Sequence, residues 1–280
     1  MNDITAIILT KNEEMNIVEC INTIKNWVTR IVVVDSGSTD KTVELAQKAG
    51  AEIFYHKWKH YADQFNWALE NVGITTKWVY RIDADERVPK ELAKEIIDEC
   101  KRHNNDNING FLMNHKLFFL GKYLKHGGSN LQKITVFKYG LGKFENRAMG
   151  EHIILKEGTT LILKNYCLHY DCKNLNSYID KHNSYATREV CDYYERKSRL
   201  SEQAKLYELA ENTKKLRDGL YYRLPKFLRA KLYYWYRYYG QLGFLDGTPG
   251  RIYCFIQAYM YRYIIDAKIY EHEVMTGDES

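Results

Sequence analysis

The sequence predicts an α/β domain with a largely parallel sheet, followed by a helical extension. Three observations predict it. Apolar runs of strand length alternate with helically spaced apolar residues from Ile4 to Asp83. Most of these runs end abruptly in a polar cluster, as buried parallel strands do where they enter a loop. Past about residue 174 the strand pattern gives way to charged, helically patterned sequence.

The elements follow in order. Ile4-Thr5-Ala6-Ile7-Ile8-Leu9-Thr10 is a continuous apolar run that turns polar at Lys11-Asn12-Glu13-Glu14. Ile17, Ile21, Ile24 and Val28 then fall at helical spacing. A second strand, Ile31-Val32-Val33-Val34, ends in Asp35-Ser36-Gly37-Ser38-Thr39-Asp40. A helical pattern over 41–50 stops at Gly50, and a short strand, Ala51 to Tyr55, comes next. A helix is expected near 62–71, and a fourth strand over 77–82 carries the chain into Asp83. In open α/β sheets ligands bind beyond the carboxyl ends of the strands. The clusters at 10–14, 35–40 and 83–86 all fall at such ends, so they are expected to converge on one crevice.

Asp83 and Asp85 stand one residue apart in Tyr-Arg-Ile-Asp-Ala-Asp-Glu at 80–86. At the end of a strand such a pair can hold a divalent cation against a phosphate, because Mg²⁺ and Mn²⁺ take oxygen ligands and leave room for substrate phosphates. An isolated Asp-x-Asp is more often a solvated turn. Asn12 and Glu13 could cap the first helix, and Thr39 or Asp40 the second. Capping and ligand contact are compatible, since the free N–H groups of a helix N-terminus suit anions.

Thr-Lys-Asn-Glu-Glu at 10–14, Val-Val-Asp-Ser-Gly-Ser-Thr-Asp at 33–40 and Asp-Ala-Asp-Glu at 83–86 together resemble the family 2 glycosyltransferases, nearest the lipopolysaccharide-core branch. The likeness continues through Gln64, Asn66 and Ala68, Phe118 to Gly121, His126-Gly127-Gly128 and Glu151, and resumes at 242–247. It implies a GT-A-type, Rossmann-like domain that binds a nucleotide sugar. On that resemblance Thr10, Asn12 and Glu13 line the nucleoside pocket. Asp35 contacts base or ribose, with Ser36 and Gly37 beside it. Gln64 and Asn66 flank the nucleotide, with an exposed helix face as their plain alternative. Asp83 faces the ribose and metal side, and Asp85 is the direct metal ligand. Gly127 and Gly128 form a flexible loop over the sugar, or an ordinary turn. His169, in a His-Tyr pair, approaches metal or diphosphate, or is structural.

Inverting transfer also needs a base for the acceptor hydroxyl. Glu151 keeps the family's acidic position and is the expected base, with Asp85 and Glu86 as competitors. The chain departs from the family pattern at Gly150, where relatives usually carry histidine, and near Thr135, where they tend to carry arginine. His152 could substitute for the missing histidine, although the alternation after it argues against that.

Composition fits an intracellular enzyme. The 280 residues suit one large domain or a domain plus an extension, with 45% hydrophobic content and only three prolines. Cys20, Cys100, Cys167, Cys172, Cys191 and Cys254 form no Cys-x-x-Cys zinc pattern, so reduced thiols are expected. Cys167, His169 and Cys172 lack a well-spaced fourth ligand. The N-terminal apolar run is too short for a signal peptide, and no stretch has the length of a transmembrane helix.

The basic excess is local. Residues 217–268 carry nine Lys or Arg against three acids, a net +6 compared with +5 for the whole chain. Interleaved Tyr and Trp suit an anionic membrane interface, which would bring a lipid-bound acceptor to the enzyme. Packing on the catalytic domain, or on the second subunit of a homodimer, would use the same side chains. Nucleic-acid binding would leave the acidic loops unexplained.

The reading is a metal-dependent, inverting glycosyltransferase with Mn²⁺ or Mg²⁺ as cofactor, residues 1–174 as the catalytic domain and 175–280 as the extension. Its donor is expected to be UDP-linked, and its acceptor a cell-surface glycan such as lipopolysaccharide core or another lipid-linked saccharide. The expected location is cytoplasmic, at the inner face of the membrane. A non-catalytic nucleotide-sugar-binding homologue and a basic nucleic-acid- or membrane-binding protein are the alternatives.

Overall fold

The computed structural model describes residues 2–129, 131–145, 152–170, 174–202 and 221–277. The chain divides into two compact units, one formed by residues 1–119 and 130–172, the other by 120–129 and 173–280.

The first unit opens β1 (Ile4–Thr10), α1 (Ile17–Ile24), β2 (Arg30–Asp35), α2 (Thr42–Lys48), β3 (Glu52–Tyr55), α3 (Tyr61–Asn71) and β4 (Trp78–Asp83). These are the elements that the apolar runs predict. The unit continues with β5 (Glu86–Arg87), α4 (Lys90–Arg102) and the long strand β6 (Ile108–Phe119). After β7 (Lys122–Tyr123), which lies in the second unit, come β8 (Leu131–Lys138), β9 (Gly142–Phe144), β10 (Ile153–Leu155) and β11 (Thr159–Tyr170).

The main sheet runs in the order β3-β2-β1-β4-β8-β6-β11-β5, and β9 pairs with β10 apart from it. The β3-β2-β1-β4 half is parallel, whereas β8 enters antiparallel to both β4 and β6. Both faces of β1, β2 and β4 are covered, so these strands read as largely apolar runs, while the edge strand β3 is partly exposed. Alternation sorts the side chains. Ile4, Ala6 and Ile8 pack with Ile17, Ile21 and Ile24 of α1 and with Leu92 and Ile96 of α4. Ile7, Val32, Val34 and Val79 pack with Ala62, Phe65 and Ala68 of α3. Each fully buried aliphatic side chain of this kind contributes roughly 1.5–3 kcal/mol.

Register sets the location of the crevice. Thr10 pairs with Asp35 and Leu9 with Asp83, so β1, β2 and β4 end at the same level. Neighbouring strands lie about 4.8 Å apart, which brings the three polar clusters together.

Among its described residues, the second unit is helical apart from β7 and the connecting turns. It contains α5 (Leu175–Glu202), α6 (Leu228–Trp235), α7 (Gly247–Cys254) and α8 (Tyr261–Thr276). A π-helical turn at Tyr236–Gly240 continues α6, and another at Phe255–Met260 joins α7 to α8. Ala186 and Val190 of α5 pack on Tyr261, Ile265 and Ile269 of α8. Arg229 is buried and donates from Nε to Asp266 Oδ1 at 2.8 Å, while Phe227 N donates to the other oxygen at 2.7 Å. Among the described residues, no helix is long and apolar enough to cross a membrane.

Candidate active site

The loops after β1 and β2 are built around Asp35. Its carboxylate is buried and accepts from Thr10 Oγ1 at 3.1 Å, Gly37 N and Ser38 N at 2.8 Å each, and Ser38 Oγ at 2.5 Å. Gly37 sits at φ +97°, which a glycine takes without the strain other residues meet. Ser36 donates from Oγ to Thr10 O at 3.0 Å. Asn12, itself at φ +55°, donates its N–H to Ser38 Oγ at 2.9 Å and accepts Thr39 N on Oδ1 at 2.8 Å. Glu13 donates its N–H to Thr42 Oγ1 at 2.7 Å, and its side chain accepts from Asn16 Nδ2 at 2.9 Å.

Asn12 and Glu13 therefore lace the first loop to the second, and the α1 N-cap residue is Asn16. The α2 N-cap is Lys41 rather than the expected Thr39 or Asp40, and Asp40, one residue further out, accepts Thr42 N on Oδ1 at 2.9 Å. The result is one rigid double loop at the strand ends.

Beside it, β4 delivers Arg81 and Asp83. Arg81 is buried and holds both oxygens of Asp83, at 2.6 and 2.5 Å. Its Nε donates to Tyr61 Oη at 2.7 Å, and Tyr61 donates on to Asp83 Oδ1 at 2.8 Å. Burial alone would raise Asp83, but the Arg81 guanidinium holds its carboxyl below the usual range. Lys133 of β8 brings a second cation, with Nζ 3.7 Å from Asp83 Oδ2 and 3.9 Å from Glu86 Oε1.

Asp85 is placed differently. β5 pairs with β11 so that Glu86 lies opposite His169, and Tyr170 N donates to Asp85 O at 2.7 Å. His169 Nε2 comes to 3.6 Å from Asp85 Oδ2. Among the described residues, the buried Asp85 Oδ1 has no hydrogen-bond partner. Such an oxygen is costly to leave bare. Burial disfavours a charged His169, but Asp85 and Glu86 together raise it above the usual histidine value.

Glu86 is fully buried, and its Oε2 accepts Asp83 N at 3.0 Å. His115 Nε2 lies 3.2 Å from its other oxygen. Burial opposes ionisation, yet His115 and the surrounding donors hold Glu86 well below the usual carboxylate value. Ligand atoms of Glu86, His115 and Cys167 lie within 4.8 Å of one another. Burial pushes the Cys167 thiol well up, and its Sγ donates to Arg87 O at 3.4 Å. The trio is buried behind the strand ends, and its Glu86 ties back to Asp83 N through the other carboxylate oxygen.

Gln64 and Asn66 are not on an exposed face. Gln64 is fully buried and donates from Nε2 to His56 O at 3.1 Å. Asn66 clamps the backbone of Phe144, donating at 3.0 Å and accepting at 2.9 Å.

Gly127 and Gly128 belong to the second unit. Asp246 Oδ2 accepts Lys125 N at 2.9 Å and His126 N at 2.8 Å, and Gly127 N donates to Gln241 O at 2.9 Å. A Cβ on Gly127 would meet Cys254 Sγ at 2.7 Å, and one on Gly128 would meet Gln241 Oε1 at 2.6 Å. These glycines permit close packing within their own unit rather than flexibility.

The expected base, Glu151, lies outside the described residues, as do Gly150 and Cys172. His152 is described and exposed. The described cysteines are all free thiols. Arg81, Tyr61, His115 and Lys133 are the site residues that sequence reasoning missed. Arg81 stood inside the quoted motif, two residues before Asp83 and so on the same side of the strand, which was the available signal.

A sheet whose parallel strands end in a laced double loop and two neighbouring aspartates is of the Rossmann-like α/β class. Comparison makes the class specific: the sequence model of Glycosyl transferase family 2 matches residues 5–157, and the chain belongs to that family. It is a glycosyltransferase built on an α/β, Rossmann-like sheet. The lipopolysaccharide core biosynthesis glycosyltransferase LpsC of Rhizobium meliloti is 27% identical over 97% of this chain and 93% of its own length. An uncharacterized glycosyltransferase of Rickettsia typhi is 29% identical over 72% of this chain and 71% of its own. Among solved structures, glucosyl-3-phosphoglycerate synthase from Mycobacterium tuberculosis, crystallised with Mn²⁺, UDP and glucosyl-3-phosphoglycerate, matches 43% of this chain and 45% of its own at 22% identity and a TM-score of 0.33. This chain thus spans less than half of that enzyme, and so low a score says nothing of the substrate here.

Proposed function

We propose that this glycosyltransferase moves a sugar from a UDP-linked donor to a hydroxyl of a cell-surface glycan, with inversion at the anomeric carbon. Lipopolysaccharide core or another lipid-linked saccharide is the acceptor class. The observation that carries the reading is Asp85 Oδ1, a buried carboxylate oxygen at the mouth of the parallel strands with no hydrogen-bond partner among the described residues. The resemblance of the 10–14, 35–40 and 83–86 motifs, and the likeness to LpsC over nearly the whole chain, support the donor and acceptor classes.

The residues fit a divalent cation. Asp85 would hold Mn²⁺ or Mg²⁺, with Asp83 and His169 beside it, and the bound ion would offset charge on the departing nucleoside diphosphate. The protein's own groups do the rest. Arg81 and Tyr61 keep Asp83 ionised and fixed in orientation. Lys133 holds an ammonium where diphosphate oxygens would arrive, beyond hydrogen-bond reach of Asp83 and Glu86. The Asp35 double loop, with Thr10, Asn12, Glu13, Ser36 and Gly37, shapes the nucleoside end, and buried Gln64 and clamped Asn66 wall it from α3. Glu151 takes the acceptor proton as the hydroxyl attacks the anomeric carbon and the bond to the diphosphate breaks.

The test is transfer from α-linked UDP-sugars to a deacylated core oligosaccharide, with product configuration read by proton coupling constants. A β-linked product is expected. A retained α linkage would overturn inversion, and no transfer from any UDP-sugar would overturn the donor class.

A further inference from the structure

The helical run from Leu228 to Gly240 presents an apolar stripe to solvent. Leu228, Leu232, Trp235, Tyr236 and Tyr239 are each about half exposed, at 47, 47, 57, 56 and 53%. Their spacing puts them on one side of a helix, while Arg229, Ala230 and Arg237 on the other side are buried. Leu242, Phe244 and Leu245, just beyond, are exposed as well. Solitary exposed apolar residues are ordinary, but a contiguous row of this size marks an interaction surface.

Charge identifies the occupant. Between residues 221 and 268 the acids are Asp246 and Asp266, and both are buried. Asp266 is taken up by Arg229, and Asp246 by the backbone of Lys125 and His126. The cations are not so confined: Arg223, Lys231 and Arg251 are exposed. Solvent therefore meets only positive charge on this stretch, mixed with Trp and Tyr. Arg251 also lines an apolar groove of about 460 Å³ with Leu175, Ile179, Tyr234, Ile252 and Phe255.

We infer that this face lies on an anionic lipid bilayer, with Trp235, Tyr236 and Tyr239 at headgroup depth and Lys231 and Arg251 against lipid phosphates. A two-fold contact between copies of the chain through the same face would set these cations against themselves. Amphipathic rings and exposed cations suit a bilayer interface without any spanning helix. The inference stands apart from the proposed donor and acceptor, because lipid binding needs neither.

The test is flotation of the full chain with phosphatidylglycerol-containing vesicles and with pure phosphatidylcholine vesicles, at low and high salt. Wild type should float with anionic vesicles, less so at high salt, and bind phosphatidylcholine weakly. Trp235→Ser with Tyr239→Ser, and separately Lys231→Glu with Arg251→Glu, should each weaken binding at least tenfold. All four side chains are exposed, so thermal melts should match wild type. Failure to bind anionic vesicles, or unchanged binding by both variants, would overturn the inference. So would a concentration-dependent dimer that the aromatic variant abolishes and vesicles do not compete with.

Discussion

Asp85 and His169 meet across the β5–β11 pairing, with Oδ2 3.6 Å from Nε2, while the second Asp85 oxygen is buried with no hydrogen-bond partner among the described residues. Two residues earlier, both oxygens of Asp83 are held by Arg81. The two carboxylates of one short motif thus have different employment. Asp83 is ionised and held by its guanidinium partner, whereas Asp85 has one buried oxygen that no described group engages.

Arg81 should matter for stability as well as for the site. Replacing it by Met leaves Asp83 partly buried without its guanidinium. Breaking such a pair costs about 3–5 kcal/mol. Urea unfolding of Arg81→Met should show a loss of that size, and adding Asp83→Asn should recover part of it. Additive losses in the double variant would mean that the pair is not coupled.

Lys133 should act on the phosphates and not on the nucleoside. A charge-assisted hydrogen bond contributes about 1.5–3 kcal/mol, so Lys133→Met should weaken UDP binding at least tenfold in metal-free buffer. Uridine binding should not change. Equal loss for both ligands would place the defect in folding.

Asp35 should be the keystone of the double loop. Asp35→Ala strips the acceptor from Thr10, Gly37 and Ser38 at once. A loss of about 3 kcal/mol or more is expected in denaturant titration, with nucleotide affinity falling alongside. A variant of wild-type stability would show that the loop is held by other means.

Glu86 supplies a pH dependence. Its folded-state pKa lies well below 4.5, because His115 and its other donors outweigh burial. A carboxyl with a depressed folded pKa contributes stability that is present above its unfolded value and is lost as pH falls through the folded one. Stability should therefore drop as pH falls below about 4.3. Glu86→Gln should be less stable at pH 7 but show a shallower acid limb in melts from pH 6 to 3. An identical acid limb in the variant would assign the effect to other carboxyls.

The first half of the sheet was legible because its physics is local. Strands β1, β2 and β4 are buried on both faces, so they read as apolar runs, broken in β4 only by Arg81, and each polar cluster marks a strand end. The acidic pair and the Asp35 loop followed from that. The later half was not legible. β6 and β11 mix charged and apolar residues, and β8 enters antiparallel between β4 and β6, which no local period encodes. His115 and Lys133 reach the site on those strands, dozens of residues from Asp83 in sequence. Gln64 sits in a helix pattern that does not announce full burial. Gly127 and Gly128 read as a loop because glycine in sequence does not distinguish freedom from close packing, and only Cys254 and Gln241 nearby reveal the second.

The proposed role of Asp85 is to hold a cation that secures a nucleoside diphosphate. Calorimetric titration of UDP, GDP, CDP and dTDP, with and without Mn²⁺, on wild type and Asp85→Ala tests it most directly. The account predicts UDP binding that Mn²⁺ strengthens in wild type, with that gain lost in Asp85→Ala. Absence of nucleotide binding in wild type, or an Mn²⁺ effect that survives the substitution, would contradict it.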